Sequence, residues 1–192
     1  MAQNSVVGME KRLPMSSSLW TKSEVLMNGA IPITMYRSTR SRLLVAIGDV
    51  PGPVVKGCMS FATEANCDDG LPHTLEHLVF MGSEKYPFKG ILSTIANRCM
   101  ASGEDGWTCQ DLTAYTLSTV GSEGFFKVLP VYLDHVLSPM LTLRSGVGYP
   151  CYLKDSQFAT EVHHINGEGD DAGVIYNEMQ GLELKMSNLL RR

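Results

Sequence analysis

No run of apolar residues in this 192-residue chain is long enough to cross a bilayer, and the first residues lack the apolar stretch of a secretory signal. Nor does a basic stripe interleaved with aromatics run through it. Sixteen Lys and Arg face twenty Asp and Glu, a net charge of -4, which argues against a nucleic-acid role. Cysteine is sparse: Cys58, Cys67, Cys99, Cys109 and Cys151 are odd in number and show no C-x-x-C spacing. That excludes a disulfide framework or a cysteine-built zinc site as the first expectation and favours thiols in a reducing compartment. Internal repeats and low-complexity tracts are absent. Residues 1–22 carry Lys11, Arg12, Lys22 and several serines, but also the acid Glu10, a poor match to a mitochondrial transit peptide. The expected compartment is the cytosol, with mitochondria as the alternative.

What is present is ordinary globular material, 44% hydrophobic and 19% charged, enough for one domain with a core. The pattern predicts an α+β fold of mixed helices and mostly antiparallel sheet. Residues 1–25 read as a loose N-terminal segment and residues 26–192 as the domain. Short strands are expected over Ile31 to Tyr36, Leu43 to Ile47 and Gly57 to Thr63, separated by Gly and Pro. Trp107 to Val120, rich in Thr and Ser around Leu112, Tyr115 and Leu117, is also β-like. A helix is predicted over about Lys89 to Met100, and another after Gly121 through Phe125, Phe126, Val128, Val131, Tyr132 and Leu137, kinked at Pro130 and packed into the core.

The chemistry concentrates at His73-Thr74-Leu75-Glu76-His77. Histidines four apart, with a carboxylate three after the first, project from one face of a helix. Two neutral imidazoles there can hold zinc, and Glu76 stands where it can act on water beside the metal. The H-x-x-E-H order is the inverzincin signature. Asp68 and Asp69 with Gly70 and Pro72 predict the helix start, with negative charge at the positive end of the dipole. Leu75, Leu78, Val79 and Phe80 supply its apolar side and Gly82 its stop. An open zinc site wants a third protein ligand. Glu178 is the first candidate, on a helix expected to begin near Asp170-Asp171 and to run through Val174, Ile175, Met179, Leu182, Leu184, Met186, Leu189 and Leu190. His163-His164 is the rival source, though neighbours on a strand face opposite ways, so at most one of the pair could reach a metal.

His73-Thr-Leu-Glu76-His77, followed about a hundred residues later by Tyr176-Asn177-Glu178-Met179, resembles the catalytic domain of the pitrilysin/insulinase family of zinc peptidases, in particular the presequence-protease-like branch and its cytosolic relatives. The likeness includes Asp69-Gly70-Leu71-Pro72 before the motif, Phe80 to Pro87 after it and Glu161 to Gly169 before Glu178, and covers about Leu26 to Gly181. It implies a zinc metalloendopeptidase domain acting on peptides, with Zn2+ held by His73, His77 and Glu178 and with Glu76 as general base. An acid seven positions before the third ligand often supports the site in the family; here that position is Asp171. The family's Asn-Ala-x-Thr strand, which lies beside the bound peptide, corresponds to Asp105-Gly106-Trp107-Thr108, where a carboxylate replaces an amide. Residues 143–155 look like a loop insertion. Relatives are longer, with several homologous domains, so further pitrilysin-like domains in cis or in trans are the expected partners beside the peptide. The competing reading is a non-catalytic scaffold subunit of such an assembly.

Overall fold

The computed structural model describes residues 11–13, 19–67, 69–141, 155–183 and 185. By contact the chain divides into two units, Met1–Gly52 and Pro53–Arg192. The first is a four-stranded antiparallel sheet of β1 (Lys11–Leu13), β2 (Trp20–Met27), β3 (Ile31–Ser38) and β4 (Leu44–Gly48), in that order. β2 and β3 form a hairpin in which Met27 pairs with Ile31 across a turn where Asn28 and Gly29 have φ of 51° and 69°. Asn and Gly tolerate that left-handed backbone, so the turn fixes the register. The segment expected to be loose thus includes a regular strand from Trp20, and the contact boundary falls at Gly52.

In the second unit, β5 (Val54–Ala62), β6 (Ala101–Thr108) and β7 (Leu112–Val120) make an antiparallel sheet ordered β5-β7-β6. The β-like stretch from Trp107 is therefore the end of one strand, a turn at residues 109–111, and a second strand. On the core side of this sheet lie α1 (Leu71–Leu78), continued by a 3-10 turn over Val79–Met81, α2 (Ile91–Arg98) and α3 (Ser122–Leu137). Val79, Leu92, Ala96, Tyr115, Leu117, Val128, Val131 and Tyr132 form the buried core. Every core side chain among the described residues belongs to this unit.

Several local expectations change in the folded chain. α1 starts on Gly70 in the left-handed region with Pro72 in its first turn, where the sequence put it, and Asp69 just before it accepts a bond from the Cys67 thiol. Asp68 lies outside the described residues. Leu75 remains 38% exposed, whereas Leu78 and Val79 are buried. Phe126 and Leu137, expected in the core, face outward, since the buried stripe of α3 is the one through Val128, Val131, Tyr132 and His135. Pro130 lies within α3, as expected. The end of α3 fastens the chain that leaves the motif helix. Glu84 N–H donates to Ser138 O (3.1 Å), Met140 N–H to Gly82 O (3.0 Å) and Lys85 N–H to Asp134 Oδ2 (3.1 Å).

α4 (Asp155–Glu161), a two-residue ladder of β8 (His164–Ile165) with β9 (Asp171–Ala172), and α5 (Val174–Glu183) complete the unit. α5 begins at Val174 rather than near Asp170, because Asn166 closes a turn on that segment: it donates from N–H to Asp170 O and accepts the Asp170 N–H on its own Oδ1, both at 2.9 Å. The expected insertion at residues 143–155 and the helix positions Leu184, Met186, Leu189 and Leu190 lie outside the described residues, apart from Asp155, which opens α4.

The close approach of α3 to α2 predicts a packing mutant. A Cβ on Gly124 would sit 2.8 Å from the Cys99 carbonyl oxygen. Alanine gains about 1 kcal/mol of helix propensity, but forcing backbone apart costs about 1–3 kcal/mol. Gly124→Ala is therefore expected to lose about 1 kcal/mol net, read as a lower urea midpoint at unchanged slope.

Candidate metal centre

α1 presents His73, Glu76 and His77 on one face, as the spacing requires, with the two imidazoles edge to face at 4.9 Å between ring centres. α5 brings Glu178 to the same place. Its Oε2 lies 3.4 Å from His77 Nε2 and 3.8 Å from His73 Nε2, and one ligand atom from each of the three residues lies within 4.8 Å of the other two. Two neutral imidazoles and a carboxylate are the nitrogen and oxygen donors zinc takes at about 2.0–2.2 Å, which puts neighbouring tetrahedral ligand atoms roughly 3.3 Å apart. The observed spacings fit that demand, so this group could bind a metal ion. His163 and His164 are not part of it: His163 Nε2 bonds Asp171 Oδ1 at 2.8 Å, and His164 Nδ1 approaches Ala159 O at 3.3 Å.

Glu76 is buried and reaches β6. Thr108 Oγ1 donates to its Oε2 at 2.5 Å. Gly106, two residues earlier and so on the same face of the strand, leaves the space the carboxylate occupies. A Cβ at Gly106 would lie 3.0 Å from Glu76 Oε1 and 3.1 Å from Ala114 O. Just upstream, the β6 register slips between Ser102 and Asp105, a bulge of the kind that re-aims a strand beside a site. Asp105 accepts from Thr116 Oγ1 at 3.1 Å, and Trp107 is half exposed. Across β7, burial together with the negative charge of Glu76 pushes the Tyr115 phenol up to about 12.

A cleft of about 750 Å³ gathers these groups: His73, Glu76, His77, Asp105, Gly106, Trp107, Thr108 and Glu178 all line it, with Phe80, Ile175, Met179 and Leu182 as its apolar wall. Asp171, expected to support the site, does not line it. It sits on β9 paired with His163, half exposed, and the acid nearest the imidazoles is another residue. Glu161, the last residue of α4 and buried, places Oε1 3.0 Å from His77 Nδ1. Its signal in the sequence was faint, since it merely opens the Glu161 to Gly169 stretch of the family-like pattern. α5 is tied to this point by the bond from Tyr176 N–H to Val162 O at 3.3 Å.

No protein-family model matches the chain. It is 60% identical over 177 residues to an uncharacterized protein of Caenorhabditis elegans, covering 92% of this chain and 17% of that protein. A second uncharacterized protein, of Saccharomyces cerevisiae, is 46% identical over 153 residues, with 79% and 14% covered. The mitochondrial presequence protease of Gibberella zeae is 33% identical over 134 residues, with 64% and 12% covered. The crystal structure of pitrilysin superimposes with a TM-score of 0.52 at 19% identity, over 68% of this chain and 14% of that one, a likeness of fold. The fold is thus that of a pitrilysin-type α+β domain, and the sequence similarity to presequence proteases supports a place in the pitrilysin/insulinase family. The chain spans less than a fifth of the length of these relatives. Among the described residues no helix is long and apolar enough to cross a membrane.

Two measurements check the geometry. Because the phenol of Tyr115 is held above its ordinary value of 10.0, its contribution to stability is full below pH 10 and is lost as pH rises through about 12. Ultraviolet titration should show the Tyr115 phenol ionising late, and Glu76→Gln should bring it partway back toward 10. At the start of α5, Gly173 has φ of 149°, and an added Cβ would lie 2.5 Å from Val162 O. Gly173→Ala is expected to cost about 2 kcal/mol or more and to speed amide exchange along α5.

Proposed function

We propose that this chain is the zinc-binding, catalytic part of a metalloendopeptidase that hydrolyses peptides, with His73, His77 and Glu178 as ligands and Glu76 as general base. The observation that carries the reading is the convergence of ligand atoms from α1 and α5 to within 4.8 Å. Zinc held there would supply a Lewis acid for the peptide carbonyl and make water acidic near neutral pH.

The chain's own residues do the rest. Glu76 takes the proton from the attacking water and returns it to the leaving nitrogen. Thr108 holds one oxygen of that carboxylate, leaving the other to receive the proton. β6 has a single strand neighbour among the described residues, β7, so its outer edge at Asp105 to Thr108 can take an extended peptide as an added strand. Main-chain bonding of that kind gives affinity with little demand on sequence. The apolar wall of Phe80, Ile175, Met179 and Leu182 excludes water around the reacting bond. Because the chain corresponds to so small a part of its relatives, further domains, in cis or in trans, complete the substrate chamber, and the 192-residue chain alone binds zinc yet turns over peptides poorly. We place the protein in the cytosol, with mitochondria, the compartment of the presequence proteases, as the alternative.

Elemental analysis of the purified chain should find one zinc per molecule, lost in His77→Ala and retained in Glu76→Gln. In the full-length parent, Glu76→Gln should remove peptide hydrolysis while leaving zinc in place. A folded wild-type chain that takes up no zinc would overturn the assignment.

A further inference from the structure

The two imidazoles of the candidate centre are not held alike. His77 is engaged on both ring nitrogens, with Nδ1 at 3.0 Å from Glu161 Oε1 and Nε2 at 3.4 Å from Glu178 Oε2. For His73 the polar approach among the described residues is a single one, Nε2 to Glu178 Oε2 at 3.8 Å. Glu161 is in turn engaged on both oxygens, since Lys89 Nζ lies 3.5 Å from its Oε2. The carboxylate is buried, 8% exposed, while Lys89 is 45% exposed, so the cation reaches in from solvent to an acid that the fold has already covered.

We propose that Lys89 and Glu161 form a positioning pair that locks His77 as the Nδ1–H tautomer and aims its Nε2 into the metal centre; the inference rests on the zinc reading above and deepens it. The argument is one of hydrogen-bond roles. An ionised carboxylate only accepts, so the proton in the 3.0 Å bond belongs to His77 Nδ1. A neutral imidazole with its proton on Nδ1 has its lone pair on Nε2, the nitrogen that faces Glu178 and His73. Lys89 fixes the second oxygen of Glu161 and so restrains rotation of the carboxylate about its terminal bond. Outer partners of this sort orient a ligand and raise its basicity, and their loss typically costs 10–100-fold in metal affinity.

The three members come from separate elements: His77 from α1, Glu161 from the end of α4, and Lys89 from the turn immediately before α2. That turn is itself fixed by bonds from Ser83 N–H to Tyr86 O (3.0 Å) and from Ile91 N–H to Phe88 O (3.3 Å). Val162, the next residue after Glu161, accepts the Tyr176 N–H of α5. One short stretch, Glu161-Val162, therefore orients a ligand on α1 through its side chain and anchors the helix of the third ligand through its main chain. A metal centre assembled from distant segments needs such a coupling, since a displacement of about 1 Å in one ligand is enough to spoil coordination.

The test uses the purified chain and Zn2+ itself. Nitrogen-15 NMR of the metal-free protein, at a pH where the imidazoles are neutral, reports the tautomer of His77. Competition with a chelator of known affinity reports zinc binding. Wild type should show His77 protonated on Nδ1. Glu161→Ala should move it to a mixture including the Nε2–H form and weaken zinc 10–100-fold. Glu161→Gln, whose amide oxygen can still accept from Nδ1, should restore most of the tautomer and part of the affinity. Lys89→Met should lower affinity by several-fold. Circular dichroism and a thermal melt confirm that each variant is folded, and if Glu161→Ala is not, Glu161→Gln and Lys89→Met carry the test. A wild-type His77 protonated on Nε2, or folded Glu161 variants with wild-type tautomer and affinity, would sink the proposal while leaving the zinc assignment standing. The expected tautomer in a chain that binds no zinc would instead remove the zinc assignment and leave the positioning contact as structure alone.

Discussion

The candidate centre depends first on how closely β6 can pass the inner face of α1. Glu76 is a buried carboxylate, and an acid taken out of water must find partners or destabilise the fold. Its partner is the hydroxyl of Thr108, and that bond forms because Gly106 carries no side chain where the carboxylate lies. The bulge between Ser102 and Asp105 sets the phase of the strand, so that Gly106 and Thr108, rather than Asp105 and Trp107, meet the helix. A single glycine thus couples the sheet to the chemistry of the motif. The cost is local: burial, with the same acid adding to it, keeps the neighbouring Tyr115 phenol from ionising until about 12.

The second requirement is that α5 arrive at the right height. Nothing in α1 determines where Glu178 falls. Its position is set by the bond to Val162, by the tight passage of Gly173 against that carbonyl and by the Asn166 turn that holds Asp170. These are mostly main-chain interactions, which tolerate sequence change at the surface while holding the backbone in place. The chain is similar in sequence to presequence proteases and shares its fold with pitrilysin, over a small portion of those proteins.

Much of the fold was legible in advance. The strands at Ile31–Ser38, Leu44–Gly48 and Val54–Ala62, the motif helix, the helix after Gly90 and the long helix after Gly121 follow from periodicity and from Gly and Pro punctuation, and all appear within a few residues of expectation. The misreadings have physical causes. Trp107 to Val120 looked like one β stretch because the turn at residues 109–111 carries no glycine or proline to announce it. Phe126 and Leu137 looked like core because apolar residues cover more of α3 than its buried stripe. The strand at Trp20 was missed because its alternation is interrupted by polar residues on a sheet that buries little.

The sequence by itself determined the contiguous half of the centre. His73, Glu76 and His77 share a helical face by spacing alone, so any helix there presents them together. It also offered Glu178 as a rigidly carried acid, and the family resemblance pointed to Asp105 to Thr108 as the strand beside the site. Only the tertiary structure decided which acid stands behind His77. Asp171 had the expected spacing from Glu178, but its strand pairs it with His163, while Glu161 reaches the imidazole from the end of a helix eighty-four residues along the chain. Spacing governs what one element can display. Which partners meet across elements is settled by packing, and no local pattern encodes it.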